Sequence, residues 1–172
     1  MSTLEKIKTA LERNAKAVEL RPGVGQGTAV TKVKLTDGFT CEITDGPWRL
    51  VADMAEKHGG NNAGPNPGVL GRAALGSCLA ISYVMWAAKL GVPISQLEVE
   101  VQADYDVRGE YGLADMPPGY KEVRYIVNIA SPATEEEIIK LLDLADAHTP
   151  YLDIFRRPIA VRREVQIQSS EK

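Results

Sequence analysis

NPGVLGRAALGSCLAISYVMWAAKLG, residues 66–91, is the stretch on which the fold turns. It is the longest apolar run of the chain, and Cys78 sits near its middle. Asn66 has the side chain of an N-cap, and Pro67 suits the first helical position, where its missing N–H costs nothing. Gly91 supplies a residue able to adopt the left-handed conformation that closes a helix, and Pro93 prevents its resumption. No charge interrupts residues 73–88, and apolar side chains fall on every face, which predicts a helix buried all round. Arg72 and Lys89 bracket a core too short for a bilayer span of roughly 18 to 20 residues, so a central helix of a soluble protein is expected.

Outward from this helix, the chain has room for one domain and a sizeable core, so residues 1–172 are read as a single domain. A net charge of −3 gives no basic surface for nucleic acid or anionic lipid. The first residues, MSTLEKIKTALERNAK, mix charges and lack the apolar centre of a secretory signal. Two cysteines do not make a disulfide framework, and two distant histidines without a CxxC give no zinc site. A cytoplasmic protein without metal or cofactor is expected, with its thiols kept reduced unless redox chemistry is their task.

Ser2 and Glu5 form a capping box, and Leu4, Ile7, Leu11, Ala15 and Val18 recur at helical spacing, so residues 1–22 read as an added amphipathic helix. From residue 28 the period shortens. TAVTKVKL, FTCEIT and PWRLVAD read as three strands joined at Asp37-Gly38 and Asp45-Gly46. Residues 56–65, EKHGGNNAGP, form a loop into the central helix. QLEVEVQADYD and YKEVRYIVNIA alternate as half-buried strands around a long loop. Thr134 caps a helix whose first turn holds Glu135, Glu136 and Glu137. Residues 151–157 form a short turn or helix, and PIAVRREVQI reads as a last strand. Helices and strands segregated in this way predict an α+β fold with antiparallel sheets around a long buried central helix.

By residue type, a cysteine in such a helix is first of all a small hydrophobe. Gly71, Ala74, Ser82 and Met85 share its face, which leaves room for a ligand or for close helix packing. Cys41 reads as strand core, His58 as solvated, and His148 as a helix C-terminal group favoured by the dipole. The glycines around residues 59–64 fit no phosphate-loop pattern.

The phrases GPNPGVLGRAALGSCLA and AHTPYLDIFRRPIAV resemble the OsmC/Ohr family of osmotically inducible and organic-hydroperoxide-resistance proteins. Asn66, Pro67, Leu70, Ala73 and Cys78 fall on that family's NPEQLxxAxxxxC pattern, and His148, Pro150, Arg157 and Pro158 resemble its HCPVSxxLxRPVPV segment. The resemblance spans roughly residues 28–168. It implies an OsmC-like intertwined homodimer with sites at the subunit interface. It also implies a reactive thiol, here Cys78, that attacks an organic hydroperoxide. In the family a second cysteine resolves the sulfenic acid, an arginine lowers the thiol pKa, and a glutamate holds that arginine.

Thr149 stands at the second cysteine's place and Gly68 at the glutamate's. Arg49, Arg72 and Arg157 are open alternatives for the arginine, and Cys41 is the only other thiol. Two functions are therefore expected: a one-cysteine thiol-dependent antioxidant protein whose resolver is an external thiol reductant, or a non-peroxidatic relative that binds a small apolar ligand at the dimer interface.

Overall fold

The computed structural model describes residues 2–168; residues 1 and 169–172, which the single-domain reading takes in, lie outside the described residues. Helix α1, Thr3–Leu20, starts at Ser2, whose side chain and that of Glu5 satisfy each other's backbone N–H groups. Leu4, Ile7, Ala10, Leu11 and Ala17 form its half-buried stripe, and α1 docks on the central helix. Ala15 and Val18, expected in that stripe, are exposed. Val18 lies instead beside Gly25, at the end of the 3₁₀ turn Pro22–Gly25 that reverses the chain.

Strands β1 (Lys32–Asp37), β2 (Thr40–Asp45) and β3 (Trp48–Ala52) make an antiparallel meander in the order β1-β2-β3. Gly38 and Gly46 take φ of 53° and 49° in the two connections, a conformation open to glycine without steric cost. Val33, Leu35, Leu50 and Trp48 of this sheet are solvent-exposed.

The central helix α2 runs Pro67–Leu90, 24 residues. Asn66 Oδ1 accepts from the Val69 N–H at 3.0 Å, and Gly91 closes the helix at φ 72°. Two expectations about α2 are corrected. By length and composition it could cross a membrane, so length does not exclude a span; what occupies it here is packing against α1, β4, α4 and α5. It is also not buried all round. Leu75, Leu79, Ser82, Tyr83, Ala87 and Ala88 are buried, whereas Ile81 is 61% exposed and Val69 and Leu90 are exposed as well. One apolar face of α2, with Val69 and Ile81, has no cover among the described residues.

β4 (Gln96–Asp104) and β5 (Glu122–Ala130) pair antiparallel in unbroken register from Gln96↔Ala130 to Asp104↔Glu122. Their half-buried residues Leu97, Val99, Val101, Val123, Tyr125 and Val127 pack on the core, alternating with exposed positions except at Gln102 of β4, which is half-buried as well. The connecting loop holds a single helical turn, α3 (Val107–Glu110), begun by Asp106. Thr134 and Glu137 form a capping box for α4 (Glu135–Asp146), whose Leu141 and Ala145 reach the core. α5 (Pro150–Arg156) follows and buries Leu152.

The last predicted strand is not a strand in this chain. Residues 158–168 carry no ladder hydrogen bonds, and Val161 and Ile167 are 91% and 90% exposed. Alternation gives this segment the pattern of a strand, but a strand also needs a neighbour, and among the described residues β4 and β5 pair only with each other.

Candidate functional site

The site is built from the N-terminal half of α2 and the loop that delivers it. Asp53, at the end of β3, is buried and organises that loop. Its carboxylate accepts from the Thr40 hydroxyl at 2.9 Å and from the N–H groups of Met54, Asn61 and Ala63 at 2.7, 3.1 and 3.2 Å. Burial raises the carboxyl pKa, but the four hydrogen bonds outweigh it and hold Asp53 below its ordinary value. The Gly/Asn loop thus contains a 3₁₀ turn, Glu56–His58, and a carboxylate wrapped by backbone donors.

Within α2, Cys78 is partly buried, and its thiol is free; Cys41 is free as well. Cys41 lies in the meander, in register with Leu35 and Ala52. The hollow beside this half of α2, about 310 Å³, lies against Val99 and Val101 of β4 and takes Arg72, Gly76 and Ser77 from the helix. A Cβ on Gly76 would come within 3.2 Å of Val101, so a small residue lets helix and strand approach closely there.

The three open arginines have different fates. Arg49 donates to the Gly46 and Trp48 carbonyls at 3.1 and 2.8 Å, inside the β2–β3 turn. Arg157 is ion-paired with Asp153 at 2.6 Å, one turn back on α5. Arg72 donates to the Tyr120 hydroxyl at 3.2 Å, which donates in turn to the Gly68 carbonyl at 3.1 Å. A Cβ on Gly68 would sit 3.4 Å from both Arg72 Nη1 and Tyr120 Oη. Tyr120 thus occupies space beside Gly68 and gives Arg72 a partner. Six residues of helix place Arg72 about 120° round the axis from Cys78.

Thr149 is buried, and its hydroxyl donates to the Ala145 carbonyl at 2.8 Å. His148 Nδ1 donates to the Leu144 carbonyl at 2.8 Å and its ring lies 4.9 Å from that of Trp86, a C-terminal capping role. Glu135 to Glu137 form the start of α4, as expected.

Sequence reading passed over a second polar cluster. Asp146, at the end of α4, accepts from the hydroxyls of Tyr83 on α2 and Tyr125 on β5, at 2.8 and 2.5 Å. Burial and the bond to Asp146 push Tyr83 far above the ordinary tyrosine range and Tyr125 up to about 12. Both pKa values lie above the ordinary tyrosine value of 10.0, so the folded chain keeps two protons that the unfolded chain sheds. Their contribution to stability is complete below pH 10; that of Tyr125 is lost as pH rises through about 12, and that of Tyr83 at higher pH still. In an absorbance titration of tyrosinate on the native protein, two of the six tyrosines should ionise late, coupled to unfolding. In Tyr125→Phe only one late ionisation should remain; six tyrosines titrating together near pH 10 in the folded chain would refute this.

A free thiol on a long helix packed against a β-hairpin, reached through an Asn-Pro cap, defines an α+β protein of the thiol-bearing type. The chain belongs to the OsmC-like protein family, whose model matches residues 59–164. The fold agrees with solved structures. An OsmC-like protein from Mycoplasma pneumoniae superposes with a TM-score of 0.66 at 18% identity, covering 76% of this chain and 89% of its own. An organic hydroperoxide resistance protein from Elizabethkingia anophelis, with bound thiocyanate, gives 0.57 at 18% identity over 76% and 89%. The organic hydroperoxide resistance protein OsmC of Legionella pneumophila, described as a predicted redox protein, gives 0.55 at 18% over 76% and 90%. No curated protein matches the chain.

Proposed function

We propose that the protein is a one-cysteine, thiol-dependent peroxidase acting on organic hydroperoxides or related oxidants, with Cys78 as the reacting group. The observation that carries this reading is the position of Cys78. It is a free, partly exposed thiol twelve residues after an Asn66-Pro67 cap, within a chain of the OsmC-like family. The Cys78 thiolate attacks one peroxide oxygen, the O–O bond breaks, and the alkoxide leaves as an alcohol after taking a proton. Cys78 is left as sulfenic acid. Thr149 cannot form a disulfide, and its hydroxyl is already engaged with Ala145. An external thiol therefore condenses with the sulfenic acid, releasing water, and a second thiol displaces the resulting mixed disulfide to restore Cys78. A reducing compartment such as the cytoplasm supplies that reductant.

The working unit in this reading is a homodimer. Its support is apolar surface without cover in one chain: Ile81 on α2, Leu35 and Leu50 on the meander, and the strand-patterned residues 158–168. The alternative, a non-peroxidatic binder of a small apolar ligand with Cys78 merely packed, is favoured by Gly68 and by the spent hydroxyl of Thr149.

One experiment separates the two. Purified protein is treated with cumene hydroperoxide, and Cys78 sulfenic acid is trapped and measured by mass spectrometry, with Cys78→Ser as control. Rapid oxidation at Cys78, with turnover only when a dithiol is added and none in Cys78→Ser, is expected. A thiol that survives millimolar oxidant unmodified and reacts on unfolding would eliminate the redox reading and leave the binder.

A further inference from the structure

A separate hollow of about 610 Å³ opens between the start of β5 and α5, within the size range of small-molecule sites. Cys78 does not line it. Its floor is apolar: Leu75 and Leu152 are buried and Val123 is half-buried, while Phe155 stands exposed at the edge. Tyr125 and Arg156 line the same hollow. They are neighbours: burial and Asp146 raise the Tyr125 pKa, and Arg156 pulls against them.

The charges around the hollow are not equivalent. Lys121 is ion-paired with Asp106 at 3.1 Å, and Glu122 with Arg124 at 3.3 Å. Asp146 lies beyond the hollow's lining, with one carboxylate oxygen receiving Tyr83 and the other Tyr125. Arg156 forms no ion pair among the described residues. A hollow with an apolar floor and, at its polar side, a guanidinium outside any ion pair fits a ligand with an aliphatic body and a single anionic head. The planar fork of arginine favours a carboxylate, which it can grip through two parallel hydrogen bonds.

We propose that the hollow between β5 and α5 binds an amphipathic carboxylate, its chain lying on Leu75, Val123 and Leu152 and its head on Arg156 beside Tyr125. Leu75 and Leu152 exclude water from the chain, and Phe155 adds an apolar wall. The binding is independent of Cys78 chemistry.

The test uses the full chain and three probes by calorimetry: decanoate below its micellar concentration, decanol and acetate. Decanoate should bind up to about fivefold more tightly than decanol, the preference that an ion pair on an exposed guanidinium gives. Acetate, lacking the chain, should give no measurable heat. Arg156→Gln should erase the preference for decanoate while leaving decanol binding unchanged, and Arg156→Lys should recover only part of it. Arg156 is exposed, so these variants should fold like the parent. Cys78→Ser should bind decanoate as the parent does, so failure of the peroxidase reading would not remove this one. Equal binding of decanoate and decanol, an undiminished preference in Arg156→Gln, or no saturable binding of decanoate would each overturn the proposal.

Discussion

Leu79→Ala should cost about 3 kcal/mol of unfolding free energy, within the range seen for leucine truncation in close-packed cores. Leu79 is 0% exposed on α2 and belongs to the cluster of Leu75, Tyr83, Leu141 and Ala145, which joins the helix to α4. A truncation there leaves a cavity that elements packed on two sides cannot easily close. The loss is a substantial part of a typical total of about 5 to 15 kcal/mol, and urea unfolding with an unchanged denaturant slope should show it. A loss under about 1 kcal/mol would mean that Leu79 is not at a rigid centre. Two residues further along, Ile81 gives the contrast. It is 61% exposed in the chain, so Ile81→Asp should hardly affect a lone subunit. If a second copy covers that face, the new carboxylate becomes a buried unpaired charge. The same variant should then convert the dimer to monomers in light scattering at micromolar concentration. Parent protein that is monomeric there, or a dimer indifferent to Ile81→Asp, would overturn the dimeric reading.

The pair also shows what could and could not be read from the residues. The ends of α2 were legible because caps are local: Asn66, Pro67 and Gly91 meet their partners within one turn. Its burial was not. Apolar side chains on every face say that every face is to be covered, but not whether the cover lies in the same chain. Residues 158–168 pose the same problem, since alternation marks a strand without naming its neighbour. Cys78 stood out as a reactive thiol only through the resemblance of its segment, Asn66 onward, to the OsmC/Ohr pattern. The contacts around the site were hidden because they join positions far apart. Arg72 meets Tyr120 across 48 positions, and Tyr83 meets Asp146 across 63. Arg156, in a segment quoted for its family pattern, gave no sign that it would border an apolar hollow.

The least legible residue was Asp53, and the loop around it supports the other large prediction. Gly60→Ala should cost about 3 kcal/mol or more, the upper end of what overpacking costs. The reason is space rather than backbone strain. A Cβ at residue 60 would lie 2.0 Å from the Met54 carbonyl oxygen, 2.5 Å from its carbon and 2.8 Å from Asp53 Oδ1. Two of those atoms are backbone, so no rotamer relieves the contact, and the chain itself must move. Moving it pulls Asn61 and Ala63 away from the Asp53 carboxylate, which their N–H groups help to solvate. Asp53 would then be a buried anion short of donors, the situation that buried polar groups avoid. Gly59→Ala is the internal control. Gly59 has φ of 86°, so alanine there is strained by about 1 to 2 kcal/mol, but its Cβ would meet only the Phe39 ring edge at 3.6 Å. Urea midpoints should therefore fall further for Gly60→Ala than for Gly59→Ala. The acid limb should move as well. A carboxyl held below its ordinary 3.8 stabilises the fold above that pH and loses its contribution as pH falls below it. With its donors displaced, Asp53 takes up a proton at higher pH, so acid unfolding of Gly60→Ala should begin earlier than that of Gly59→Ala. Equal urea midpoints in the two variants would show that the loop yields without cost and that Asp53 does not depend on its closure.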